Sequence, residues 1–147
     1  MGRSASFVAF VGFLASAAFD ANALFIVNQP WVKPGTRNTE AYMVLTSTEG
    51  ATLIGVRSTA AQVSLRGPGP RGRARKGLPL PAGAAIALRP GADRIVLTGL
   101  TRALKPGERV VLMLEVETAT GAREEIEVAA EVRSESPLDA ERRAHRH

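Results

Sequence analysis

A cationic loop contains the residues of this sequence whose types and spacing most clearly suggest chemistry. Residues 66–76 hold five cations and no acid: Arg66, Arg71, Arg73, Arg75 and Lys76. The planar guanidinium of arginine can donate two parallel hydrogen bonds to a carboxylate or a phosphate. The loop therefore predicts an anion-binding surface, and the alternative is a solvated Gly/Pro-rich loop that binds nothing.

Few side chains are suited to binding a metal ion. His145 and His147 are the two histidines of the sequence, and such an H-x-H pair can chelate Cu(II), Ni(II) or Zn(II) weakly. A solvated terminus is the alternative for this pair. Met43 and Met113 lie within apolar runs, which indicates core packing rather than ligation. The sequence has no cysteine, so it offers no thiolate ligand and no Cys nucleophile.

Patterns typical of an active site are nearly absent. No histidine precedes His145, and no G-x-S-x-G nucleophile elbow occurs. Glu115 and Glu117 share one face of a predicted strand, as do Glu125 and Glu127, but such a pattern is typical of the solvent face of a terminal hairpin. We therefore expect that the protein is not an enzyme.

The first 23 residues have the layout of an export signal. A short basic start is followed by an apolar run at 7–19 and by Ala21-Asn22-Ala23, which has the A-x-A form of a signal peptidase site. A buried N-terminal helix or an uncleaved anchor is the alternative. We expect a signal peptide at 1–23, a folded domain at 24–133 and a polar, flexible tail at 134–147.

The predicted export also sets expectations about location and partners. A periplasmic or secreted location follows from it, and no later segment is long and apolar enough to be expected to cross a bilayer. The formal net charge of +5 favours acidic proteins or anionic surfaces as partners. Nucleic acid is not expected, because the few aromatic residues are not interleaved with the basic ones.

Short β-strands are the elements predicted to position these residues. Seven apolar runs, most of them with a period of two, are separated by Pro-Gly or Gly turns: 41–46, 51–56, 63–65, 84–88, 95–97, 110–117 and 126–128. Thr120-Gly121 predicts a hairpin between the last two runs. No convincing helix is predicted after residue 23. Many short strands with close turns indicate an all-β sandwich or barrel.

Several motifs, taken in order, resemble those of the periplasmic copper chaperones called PCu(A)C. They are Pro30-Trp31-Val32, Pro34-Gly35, Ala41-Tyr42, Leu53-Ile54-Gly55-Val56, Pro81-Ala82-Gly83, Pro90-Gly91, Gly99-Leu100 and Gly107. The resemblance implies a cupredoxin-like Greek-key β-sandwich with a copper site on the loops at one end. It also implies that copper is the cargo, and thioethers and imidazoles suit Cu(I).

The resemblance places the four copper ligands of that family on residues that cannot bind copper here. Its two histidines correspond to Arg66 and Arg94, its first methionine to Gly72 or a neighbouring residue, and its second to Val96. Arginine is cationic and has no lone pair to donate, and glycine and valine have no side-chain donor. We therefore predict a degenerate copper site. In the implied fold Arg94 lies near the cationic loop and would join it in binding an anion.

Two functional hypotheses follow. In the first, the protein is a periplasmic member of the copper-chaperone family, with copper expected through the resemblance alone. Its role would be copper handling and delivery, with cytochrome oxidase assembly proteins or another periplasmic protein as partners. In the second, it is a metal-free, diverged binding or scaffold module whose basic loop engages an acidic protein or an anionic surface.

Overall fold

The structure, a computed structural model, describes residues 24–145. Within them it has nine strands and one helix: β1 (Phe25–Val32), β2 (Thr39–Ser47), β3 (Ala51–Arg57), β4 (Gln62–Arg66), β5 (Leu78–Leu80), β6 (Ile86–Leu88), β7 (Arg94–Thr98), β8 (Arg109–Thr118), β9 (Arg123–Val132) and α1 (Pro137–Ala144). The all-β class is therefore confirmed. The export signal predicted at 1–23 and His147 lie outside the described residues.

One curled sheet contains all of these strands. Its order is β4-β7-β2-β1-β9-β8-β3-β5, and β6 pairs with β2 next to the β2–β7 pairing. β1 and β9 run parallel, and the other pairs are antiparallel. The hairpin predicted at Thr120-Gly121 is confirmed between β8 and β9, where Gly121 has the positive φ that the turn requires.

The period-two pattern of β2 determines which side chains face the core. Ala41, Met43 and Leu45 are fully buried inside the curled sheet. Glu40 and Tyr42 alternate with them and lie on the opposite face, where Glu40 is half-buried and Tyr42 is also buried. Met43 is thus a core residue, as the sequence predicted. Met113 is only half-buried, because it alternates with the buried neighbours on either side of it in β8.

The strands that the sequence analysis did not predict have interrupted patterns. β1 contains a bulge between Asn28 and Trp31, and Gln29 adopts a left-handed φ of 53° within it. A bulge moves the following side chains to the opposite face, so the period of two is lost in the sequence. β5 has three residues with a proline at its centre, which is too short to show a period.

The C-terminal tail contains a helix where no convincing one was predicted. Ser136 caps it by accepting a hydrogen bond from the Asp139 backbone N–H at 3.0 Å, and Pro137 occupies its first turn. None of its residues is buried, and its largest apolar side chain, Leu138, is 43% exposed. No helix in the described part of the chain is long and apolar enough to span a membrane.

Candidate functional site

The four positions that the resemblance assigns to copper ligands lie side by side in the structure. Arg66 on β4 and Arg94 on β7 are directly paired across the two strands, and Val96 is two residues further along β7. Gly72, on the loop after β4, is also close, because the Arg66 Nη1 donates to its carbonyl oxygen at 3.4 Å. The structure thus places these positions near one another, toward one end of β4 and β7.

Arg94 is the buried centre of this cluster, with only 5% of its surface exposed. Its Nε donates to Glu40 Oε2 at 3.1 Å. Its Nη1 donates to the carbonyl oxygens of Gly67 at 2.9 Å and Ala92 at 3.1 Å, and its Nη2 donates to that of Gly69 at 2.8 Å. One guanidinium thus joins β2, the turn before β7 and the loop after β4.

A line of outer-face side chains on β2 and β1 extends from this ion pair. The Tyr42 hydroxyl donates to the Glu40 carboxylate, and the Tyr42 ring lies 4.9 Å from that of Trp31. Burial, with the hydrogen bond and charge of Glu40, raises the pKa of Tyr42, while Arg94 acts in the opposite direction. Tyr42 therefore remains a neutral donor to Glu40 at physiological pH.

The cationic loop is folded rather than a loose solvated segment. The Gly67 N–H donates to Arg73 O at 2.9 Å, and the Arg75 N–H donates to Leu65 O at 2.8 Å, which closes the loop against β4. The Gly69 N–H donates to Gly91 O at 3.2 Å, which ties the loop to the turn before β7. The guanidinium of Arg94 fills the space inside these contacts.

The six predicted anion ligands separate into engaged and exposed side chains. Arg94 is buried and engaged as described, so it does not present its guanidinium to solvent. Arg75 forms an ion pair with Asp93 at 2.9 Å, and Arg66 donates to Ser64 Oγ at 3.3 Å as well as to the loop. Three others are exposed and form no side-chain hydrogen bond or ion pair with described residues: Arg71, Arg73 and Lys76.

The residues at this site do not fit a Cu(I) ion. Its oxygen acceptors face the Arg94 guanidinium, and no imidazole, thiolate or thioether is among the groups that contact it. Over residues 24–145, no group of three or more His, Cys, Asp or Glu side chains is arranged to hold a metal. His145 is exposed at the end of α1, and its proposed partner His147 lies outside the described residues, so the H-x-H site stays a prediction.

The acidic residues of the terminal hairpin lie on its solvent side. Glu115 and Glu125 are directly opposite each other on β8 and β9, and Arg57 on β3 forms an ion pair with Glu125. The Glu125 side chain is 48% exposed and is therefore in contact with water. The arrangement agrees with the solvent-facing reading of these acids.

A cavity of about 530 Å³ lies between α1 and the outer face of the sheet. Trp31, Val44, Arg89 and, from α1, Leu138 and Arg142 are among the residues that line it. No sequence pattern indicated this cavity, because part of its lining comes from a helix that was not predicted. It shares Trp31 with the line of side chains that leads to Arg94.

Comparisons with known proteins agree with this architecture. Residues 25–132 match the sequence profile of the family described as "Putative lipoprotein LpqE-like". No curated protein matches the chain significantly.

Solved PCuAC domains have the same fold. The apo PCuAC domain from PmoF1 superposes with a TM-score of 0.63 at 20% identity, over 74% of this chain and 92% of that one. The copper-bound PCuAC domain from PmoF2 superposes with a TM-score of 0.61 at 20% identity, over 74% of this chain and 92% of that one. The Cu(I) form of DR1885 from Deinococcus radiodurans superposes with a TM-score of 0.58 at 29% identity, over 78% of this chain and 82% of that one. The predicted cupredoxin-like fold is therefore confirmed.

Proposed function

The chain belongs to the LpqE-like family, and from this premise we propose that it is a metal-free binding module with the copper-chaperone fold, acting outside the cytoplasm. The observation that carries this proposal is the buried guanidinium of Arg94. Arg94 lies where the resemblance to PCu(A)C proteins puts a copper-binding histidine. Its guanidinium is held by four acceptor groups from three parts of the chain. The exposed cations of the neighbouring loop would then be the binding surface.

The chemistry of the acceptors supports the loss of the metal. Cu(I) is a soft ion that prefers sulfur and imidazole nitrogen, whereas the acceptors around Arg94 are carboxylate and carbonyl oxygens. Those oxygens are also already satisfied by guanidinium N–H donors. In this proposal the positive charge that organises the loops comes from a side chain, and no cargo ion is needed for the end of the sheet to be ordered.

Copper handling is the second candidate function. The observation in its favour is that two of the superposed domains contain copper in their solved form, one of them at 29% identity. Copper would then be bound by residues other than the four inherited positions, with His145 and His147 of the tail as candidates. Delivery toward cytochrome oxidase assembly is the role that the resemblance implies for this case.

We expect no tight Cu(I) binding when the protein, purified from the periplasm, is titrated against a chromophoric Cu(I) competitor. The four inherited positions supply no soft donor, so the competitor should retain the metal. Deleting residues 144–147 should remove any weak Cu(II) binding without affecting the Cu(I) result. The Cu(I)-binding protein DR1885 is the positive control. Tight one-to-one Cu(I) binding that persists after the deletion would favour copper handling and contradict the metal-free proposal.

A further inference from the structure

We propose that the tip formed by residues 66–76 and the turn 89–93 docks on an anionic phospholipid bilayer. The inference deepens the proposed function and rests on it, because it identifies the partner of the binding surface. The bilayer would be recognised through its headgroup phosphates, to which arginine and lysine donate charge-assisted hydrogen bonds.

The positive charge of the protein is concentrated at this tip. With Arg94 and its partner Glu40 included, the region holds seven Lys or Arg residues against two acids. The excess of five equals the formal net charge of the whole chain, +5, so the rest of the chain is close to neutral. Both acids are already paired, Glu40 with Arg94 and Asp93 with Arg75. The remaining cations therefore have no acid of the tip to neutralise them.

The exposed cations are held on an ordered surface. Arg71, Arg73 and Lys76 lie on the loop that is closed against β4, and Arg89 is exposed on the adjacent turn. Loop and turn are joined by the hydrogen bond between Gly69 and Gly91 and by the ion pair between Arg75 and Asp93. Because the backbone is already fixed, docking would require the ordering of side chains alone.

The composition of the tip favours a bilayer over an acidic protein. Protein interfaces depend on a few buried anchors, commonly Trp, Tyr or another large side chain in a pocket. Residues 66–76 contain Gly, Pro, Ala and cations, and none of the large exposed hydrophobic residues of the described chain lies there. A charged bilayer surface needs no such anchor, since the attraction grows with the number of nearby cations.

An acidic face elsewhere on the molecule would fix its orientation on the bilayer. On the outer face of β8 and β9, five acids (Glu115, Glu117, Glu125, Glu127 and Glu131) outnumber three cations: Arg109, Arg123 and the adjacent Arg57, which pairs with Glu125. β9 is separated from β7 by β2 and β1 in the sheet. An anionic surface would repel this face while it attracts the tip. The molecule is thus expected to dock with the loop end toward the membrane.

Vesicle binding by the full protein tests the proposal. We expect it to sediment with vesicles made from equal parts of phosphatidylglycerol and phosphatidylcholine at low ionic strength, and not with pure phosphatidylcholine. Changing Arg71, Arg73 and Lys76 to serine should lower the partition coefficient by about 100-fold, from about five-fold per cation. These side chains have no partner in the described structure, so circular dichroism should show an unchanged fold.

The matched control removes three exposed cations far from the tip, two on connections between strands and one at the first residue of β8. Arg37, Lys105 and Arg109 are changed to serine, which lowers the net charge by the same amount. This variant should keep most of the vesicle binding. Equal losses in the two triple variants would mean attraction by overall charge without a docking surface, and would overturn the proposal.

Two further outcomes would also overturn it. One is failure of the unaltered protein to bind phosphatidylglycerol vesicles at low salt. The other is binding to a soluble polyglutamate peptide through the same three cations with no binding to vesicles, which would identify an acidic protein as the partner. The Cu(I) titration on the same samples keeps the two proposals apart. If the protein binds neither copper nor vesicles, only the proposal of a bilayer partner is rejected. If it binds copper tightly, the proposed metal-free function is rejected whether or not vesicles are bound.

Discussion

Replacing Arg94 with methionine is expected to lower the free energy of unfolding by about 3 kcal/mol. The change leaves the Glu40 carboxylate without its cation and removes the donor to the carbonyl oxygens of Gly67, Gly69 and Ala92. Breaking a buried ion pair by removing one partner costs about 3–5 kcal/mol. We expect the lower end, because the Glu40 side chain is 30% exposed and can be hydrated. Urea unfolding at neutral pH measures the loss.

The control for this prediction is another arginine in an ion pair. Arg57 contacts Glu125, but its side chain is 65% exposed, so replacing it with methionine should lower the urea midpoint far less than replacing Arg94 does. Replacing Arg94 with lysine should lower the free energy of unfolding by an intermediate amount, because one ammonium group cannot donate hydrogen bonds in all the directions that the guanidinium does. Equal stability of the two methionine variants would show that Arg94 does not organise the loops.

Replacing Gly72 with alanine is expected to cost at least about 2 kcal/mol. A Cβ added there would lie 2.0 Å from the Gly67 carbonyl oxygen and 3.2 Å from Arg94 Nη1. The first of these contacts involves backbone, which a side-chain rotation cannot relieve, so the loop would have to open. Urea unfolding gives the energy, and vesicle sedimentation shows whether the opened loop still binds.

Gly67, on the same loop, provides the matched comparison. A Cβ at Gly67 would meet nothing closer than Arg75 Cδ at 3.7 Å, which is ordinary contact distance. Its replacement with alanine should change stability by less than about 1 kcal/mol. The steric explanation fails if the two alanine variants unfold at the same urea concentration. If it holds, a methionine cannot be placed at position 72 without rebuilding the loop, so restoring the four inherited ligands by substitution alone should not recreate a copper site.

Much of the fold was predictable because its information is local. The period of two in β2, β8 and β9, and the Gly turns between strands, depend on neighbouring residues that can be read directly. The elements that were not predicted lack such a local signal. A bulge at Gln29 disrupts the pattern of β1, and α1 is a short helix with no buried face.

The candidate site, like the fold, could be predicted from the sequence only in part. The resemblance to PCu(A)C proteins assigned the four inherited positions to Arg66, Gly72, Arg94 and Val96, and in the structure these residues lie near one another. What the sequence did not show was the state of Arg94, which was expected to join the loop in binding an anion.

The sequence by itself determined the all-β class, the concentration of cations on one loop and the residue types at the inherited positions. Only the tertiary structure decided which of those cations are available to a partner. Arg94 is satisfied by Glu40, 54 positions away, and by carbonyl groups of Gly67 and Gly69, 27 and 25 positions away. Burial and pairing of a charge depend on groups that the fold brings from distant parts of the chain. A run of charged residues therefore reveals its total charge in the sequence, but which of its members face solvent is settled by folding.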